Sequence, residues 1–149
     1  MSTLRVLCYS GGVGSTALVL ATLGEKNQPD LIIYPDTEDR TNGLRHDRAR
    51  RVLMLCRRFK VPFHWLEPGP GTYCERVRAY LESKYPGADV VLVLGYLAGE
   101  DSAMKSDPCL VGAETPLVTS GTCICRATRA LKRHGFKAEG EPLDCPVHK

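Results

Sequence analysis

Two groups of residues have types and spacing suited to chemistry. The first is the stretch "YSGGVGSTA" at positions 9–17, which packs three glycines, two serines and a threonine between two apolar runs. Glycine lets a backbone pass close to a ligand without a Cβ clash. The start of a helix exposes unpaired N–H groups and the positive end of its dipole. Ser10, Ser15 and Thr16 add hydroxyl donors to the backbone of Gly11, Gly12 and Gly14. Together these make an anion cradle of the kind that holds phosphate. The second group lies near the other end. Cys123 and Cys125 form a C-x-C pair, and Cys145 and His148 form a C-x-x-H pair. Two such pairs from separate segments can close a tetrahedral zinc site or hold an iron–sulfur cluster. Free thiols are the alternative.

The elements that must position these groups alternate between strand and helix. Residues 4–9, 30–38, 61–67 and 88–96 are short apolar runs suited to strands. Residues 16–23 are apolar almost all round, with Gly24 as a C-terminal stop. Residues 44–60 place Ala49, Val52, Leu53 and Cys56 at helical spacing. Residues 72–85 put Cys74, Val77 and Leu81 on one helix face, and residues 123–135 form a last helix closed by Gly135. The segment from about 97 to 121 reads as loop, and residues 136–149 as an irregular tail. Continuous apolar strands separated by helices predict an α/β fold: a doubly wound, mostly parallel sheet of four or five strands with helices on both faces. Such sheets bind ligands beyond the carboxyl ends of their strands, which is where the glycine-rich loop falls.

Composition narrows the classes. The chain has 149 residues, enough for one domain (1–149) with a real core, residues 122–149 adding a helix and a Cys/His-containing tail. No apolar run reaches the length of a membrane span. The N-terminus lacks the order of a signal peptide, so a cytoplasmic setting is expected. The seven cysteines are then expected as thiols or ligands and not as a disulfide framework. Cys8 and Cys56 sit in apolar patterns as small core residues. The formal charge of +3 is weak support for a polyanionic partner.

Three phosphate loops can be weighed. A Walker A loop needs a lysine that is absent here. A dinucleotide fingerprint is met by Gly12, Gly14 and Ala17, with Asp36 where a ribose-binding acid would sit. A nicotinamide dehydrogenase, however, would be expected to carry a second domain. The third option fits best: "SGGVGST" resembles the Ser-Gly-Gly-x-Asp-Ser loop of the PP-loop superfamily, which has an adenine-nucleotide α-hydrolase-like fold. Gly14 stands where the ATP pyrophosphatases of that superfamily carry Asp, and this turns the resemblance toward the phosphoadenosine phosphosulfate (PAPS) reductases. Asp36, Thr37 and Glu38 resemble that family's Asp-Thr region after the second strand. Gly95 and Glu100 in "LGYLAGEDS" match its Gly-Ile-Arg-x-x-Glu-Ser segment, with Leu97 in place of the arginine. "DCPVH" at 144–148 is similar to its Glu-Cys-Gly-Ile-His tail. The resemblance implies an adenine nucleotide, ATP or PAPS-like, held by residues 10–12, 14–16, 36, 37, 95 and 100. It implies Cys145 as the nucleophile toward an activated sulfate, and a thioredoxin-type reductant. Zinc, an iron–sulfur cluster and Mg are the candidate inorganic cofactors. "PLDCPVH" also resembles the Cys-x-x-Cys-Pro element that ends reductase-like PP-loop proteins, many of them phage-borne. The remaining alternatives are a PP-loop enzyme that thiolates nucleic acid and a nucleotide-binding module without catalysis.

In the helix at 44–60, Arg50, Arg51, Arg57 and Arg58 fall opposite the apolar stripe, with Asp47 placed to pair with Arg51. A solvated face is expected, and contact with a nucleic-acid backbone is the functional alternative. His46 and His64 are expected as polar surface residues. His134 is expected at a helix end, where a cationic ring suits the dipole.

Overall fold

A computed structural model of the chain describes residues 3–9, 11–36, 43–71, 73–93, 117–118 and 124–136; for 13, 73, 74, 117, 118, 124 and 125 this covers the backbone alone. Five strands, β1 (Leu4–Cys8), β2 (Leu31–Pro35), β3 (Phe63–Leu66), β4 (Val90–Val93) and β5 (Leu117–Val118), form one sheet in the order β3-β2-β1-β4-β5. Every pairing is parallel. Among the described residues four helices accompany them: α1 (Val13–Thr22), α2 (Gly43–Arg58), α3 (Tyr73–Lys84) and α4 (Ile124–Arg133). The expected mostly parallel α/β architecture is therefore the observed one.

Strand alternation divides the core in two. Leu7, Ile32, Tyr34 and Val93 face a layer built from α1, α2 and α4. Val6, Leu31 and Ile33 face α3, where Val77 and Leu81 pack on them. The division follows from the handedness of crossovers. From β1 to β3 the chain steps one way across the sheet, then returns past β1 to β4. Right-handed crossovers in opposite directions must lie on opposite faces, so α1 and α2 lie on one side and α3 on the other. The reversal makes the carboxyl ends of β1 and β4 the switch point of the sheet.

The apolar girth of α1 has a matching cause. Residues 15–23 are all buried, because the helix lies between the sheet and its neighbours α4 and α2. Gly24 follows at φ +79°, the left-handed stop that ends the helix. On α2 the buried stripe is His46, Ala49, Val52 and Cys56. Burial pushes the Cys56 thiol up to about 12. Cys8 is half-buried and packs toward α3. β5 lies in a segment expected to be loop, and its two residues carry no periodic pattern to betray them. Among the described residues, no helix is long and apolar enough to cross a membrane.

Candidate functional site

The glycine-rich loop joins β1 to α1 at the carboxyl edge of the central strand. Tyr9 extends β1, its N–H donating to Ile33 O at 2.9 Å. Gly11 then turns the chain at φ +84°. A Cβ on Gly11 would stand 3.1 Å from Arg45 O and 3.2 Å from the Tyr34 ring, so the loop is pressed against the first turn of α2. Arg48 donates to Gly11 O at 3.1 Å and fastens the same contact. Gly11 is thus fixed by conformation and by packing.

Gly12 caps α1 in extended conformation (φ −73°, ψ 168°) and offers no capping side chain, and the first turn holds no acid. Its carbonyl accepts from Thr16 N at 3.0 Å and from Thr16 Oγ1 at 2.7 Å. Ser15 Oγ approaches the same carbonyl at 3.4 Å. The Thr16 hydroxyl has one proton, and Gly12 O takes it. The Tyr9 hydroxyl, 2.7 Å from Thr16 Oγ1, is therefore the donor in that pair. Burial pushes the Tyr9 phenol above its usual value, which keeps it in the donating form. Thr16 is fully buried. It was expected to offer a hydroxyl to a ligand; the structure commits that hydroxyl to the loop's own backbone. Gly14 is the opposite case. It is exposed, and a Cβ there would meet nothing within 4 Å. None of the described residues therefore requires glycine at 14.

Asp36 ends β2 as expected, but it faces inward, 4% exposed. His46 Nε2 donates to its Oδ1 at 3.1 Å, and Trp65 Nε1 donates to its Oδ2 at 3.2 Å. The His46 ring stacks on Trp65 at 5.8 Å, and Tyr34 stands edge-on to Trp65 at 4.6 Å. Arg76 of α3 closes the cluster from the other face. It donates to Asp36 O at 3.5 Å, to Leu66 O at 3.4 Å and to Glu67 O. The carboxylate thus ties β2, β3 and α2 together, each oxygen accepting a hydrogen bond from a different element. His46, expected at the surface, is 6% exposed; it extends the apolar stripe of α2 by one turn, with Asp36 supplying the polar partner.

Two other histidines also differ from expectation. His64 is half-buried and stacks on Tyr80 at 3.9 Å, and burial followed by the Lys84 charge lowers its pKa. The His134 ring is held below its ordinary value by burial first, then by Arg133 and Arg58, so the cationic form suited to a helix end is disfavoured. Arg51 does not pair with Asp47. It donates to His134 O at 3.3 Å and Gly135 O at 3.1 Å and lies 3.8 Å over the Phe136 ring. Asp47 instead faces Arg50 at 3.7 Å.

Ser10, Thr37, Gly95, Glu100, Cys123, Cys145 and His148 lie outside the described residues, and Cys125 is described only by its backbone in the first turn of α4. The zinc and cluster expectations rest on those residues. Among the described residues no three metal-ligating side chains converge. The structure thus brings together Gly11, Gly12, Gly14, Ser15 and Thr16. It adds three residues that sequence reasoning missed: Tyr9 and Arg48 as supports of the loop, and Trp65 as a partner of Asp36. Only Tyr9 carried a signal, as the first residue of the opening stretch. Compared with known proteins, the chain matches no protein-family model and no curated sequence.

Proposed function

We propose that the chain binds the phosphates of an adenine nucleotide at the start of α1 and is a PP-loop protein similar to the PAPS reductases. The observation that carries the reading is the placement of the loop. A glycine turn buttressed by Arg48 delivers the N-terminus of α1, where the N-cap is a glycine, to the carboxyl end of β1, beside the switch point, with no described residue within 4 Å of a Cβ placed on Gly14. Backbone N–H groups in the first turn, and not the Thr16 hydroxyl, are the donors in this reading.

The chemistry proposed for the bound nucleotide is thiol-dependent reduction of an activated sulfate. The Cys145 thiolate attacks the sulfur of the sulfuryl group. The S–O bond to the phosphate breaks, adenosine 3′,5′-bisphosphate leaves with the electron pair, and Cys145 is left as an S-sulfonate. A thiolate of a thioredoxin-type partner then attacks the Cys145 sulfur and releases sulfite, leaving a mixed disulfide. The partner's second thiol resolves it, returning Cys145 as a thiol and leaving the partner oxidised to a disulfide. A cytoplasmic setting, where thiols stay reduced, suits this chemistry.

Thermal protection by ATP, adenosine 3′,5′-bisphosphate and NAD separates the readings. The adenine mononucleotides should raise the melting temperature more than NAD. A folded Gly12→Val protein should lose at least about tenfold in affinity, roughly 1.4 kcal/mol. Unchanged affinity in that variant, or preference for NAD, overturns the site. Nucleotide binding with no sulfite from PAPS and reduced thioredoxin leaves a binding module and rejects the reductase step. Alkylation provides the matching chemical readout: Cys145 should label faster than the buried Cys56 thiol.

A further inference from the structure

We propose that the outer face formed by α2 and α4 docks the phosphodiester backbone of a nucleic acid. The proposal stands apart from the nucleotide loop and does not depend on it.

The two helices concentrate charge. α2 carries six arginines against one acid, and α4 three arginines and a lysine against none. They hold half of the chain's 20 Lys and Arg, although the whole chain has a formal charge of only +3. The rest of the chain is therefore net acidic, and these two helices carry the net positive charge. Both helices lie on the same side of the sheet, with α1 buried beneath them. Their buried stripes, His46-Ala49-Val52-Cys56 and Ala127-Ala130-Leu131, turn the cations outward. Arg50, Arg57 and Arg58 on α2 and Arg129, Lys132 and Arg133 on α4 are all exposed.

The face is continuous. Arg51 of α2 donates to the carbonyls of His134 and Gly135 at the end of α4 and covers Phe136. Phe59, just after α2, meets the His134 ring edge-on at 6.5 Å. Arg58 and Arg133, one from each helix, both act on the His134 imidazole, so their fields overlap there. Local acids offset little of this charge. Arg50 meets Asp47 and Arg126 meets Glu25, each at 3.7 Å and each exposed, and exposed pairs of that kind are weak.

The occupant follows from the chemistry of the face. Arginine outnumbers lysine nine to one on the two helices, and guanidinium groups match phosphate in a planar fork. A 16-residue helix runs about 24 Å, alongside roughly seven phosphates of one B-form strand. An anionic membrane would want an apolar helix face to insert. Among the described residues only Leu44 and Met54 are exposed large hydrophobics, both on α2. A protein partner would want an aromatic or aliphatic anchor in a pocket, and this face presents charge.

Fluorescence anisotropy with a 20-nucleotide single strand and a 20-base-pair duplex, at 50 and 200 mM salt, tests the proposal. Neutralising about four phosphates should weaken binding on the order of 50- to 150-fold across that range. Arg57→Glu with Arg129→Glu should lose at least tenfold, and Arg50→Glu with Lys132→Glu should do the same independently. Melting curves check that each variant is folded. No binding at 50 mM salt, affinity indifferent to salt, or retention of affinity by both folded variants overturns the proposal. So does tighter binding to vesicles of anionic phospholipid or to polyglutamate than to either nucleic acid.

Discussion

His46 Nε2 lies 3.1 Å from Asp36 Oδ1, and both side chains are almost wholly buried. Because Trp65 takes the other carboxylate oxygen at 3.2 Å, Asp36 is the hub on which α2, β2 and β3 meet. Replacing it with Ala removes the acceptor of one buried donor, His46, and one half-buried donor, Trp65, at a cost of about 1–3 kcal/mol for a buried group left unsatisfied and less for the half-buried one. Asp36→Ala is therefore expected to lower the melting temperature by roughly 5–10 °C. Trp65, the single tryptophan, reports the transition by its own fluorescence. If Asp36 instead served a ligand directly, the variant would keep its stability and lose only nucleotide affinity.

Gly11 and Gly14 should respond oppositely to substitution. Gly11→Ala places a Cβ 3.1 Å from a backbone oxygen at φ +84°, and should destabilise by at least about 1–2 kcal/mol. At Gly14 a Cβ meets none of the described residues within 4 Å, and leaving glycine in a helix gains up to about 1 kcal/mol. Gly14→Asp adds a negative charge to the first turn, stabilising by a further 0.3–1 kcal/mol or so. The same charge occupies the proposed phosphate position. Gly14→Asp should thus melt higher without ligand and bind nucleotide more weakly in the absence of divalent cations. Denaturant titration and calorimetry read the two effects separately.

The glycine loop was legible because its signals are local: an apolar strand, a run of small residues and a helix onset follow one another directly. The role of Asp36 was not. Its partners lie 10 and 29 residues away, and no spacing rule connects a strand-end acid to a histidine on the intervening helix or a tryptophan on the next strand. His46 was misread because it is polar, though it sits one helical step before Ala49 on the buried stripe. Arg51 shows the same limit. Its i, i+4 neighbour Asp47 is visible in the sequence, whereas the carbonyls it serves lie 83 and 84 residues on. The two residues of β5 form a strand only because β4 offers them an edge.

His64 and His134 both bind protons less readily in the folded protein than in the unfolded chain, each first because of burial. Their contribution to stability is present above the unfolded histidine value of about 6.5. It declines as pH falls through that value, because the unfolded state then takes up protons that the folded state resists. Stability measured by urea unfolding should accordingly fall between pH 7 and pH 5. The double variant His64→Gln with His134→Gln should show a shallower decline. An unchanged slope would mean that neither ring resists protonation in the folded chain.

The Tyr9–Thr16 hydrogen bond offers the sharpest separation of loop architecture from ligand contact. Tyr9 donates to Thr16 Oγ1, and Thr16 donates to Gly12 O, both at 2.7 Å in a buried setting. Thr16→Val removes the relay and leaves the Tyr9 hydroxyl without its acceptor, costing about 1–3 kcal/mol. Tyr9→Phe removes the donor and leaves Thr16 bonded to Gly12, so its cost should be nearer 1 kcal/mol. In the double variant no hydroxyl is stranded. Its loss should fall short of the sum of the singles by roughly 0.5–2 kcal/mol of coupling. Nucleotide affinity should follow a different pattern. If the Thr16 hydroxyl acts only through the position of Gly12, Thr16→Ser, which keeps the hydroxyl, should retain affinity. Tyr9→Phe should then change affinity by less than about threefold. A loss of more than tenfold in Thr16→Val, with Gly12→Val unaffected, would make Thr16 a direct ligand contact and would require its side chain to leave the buried position seen here.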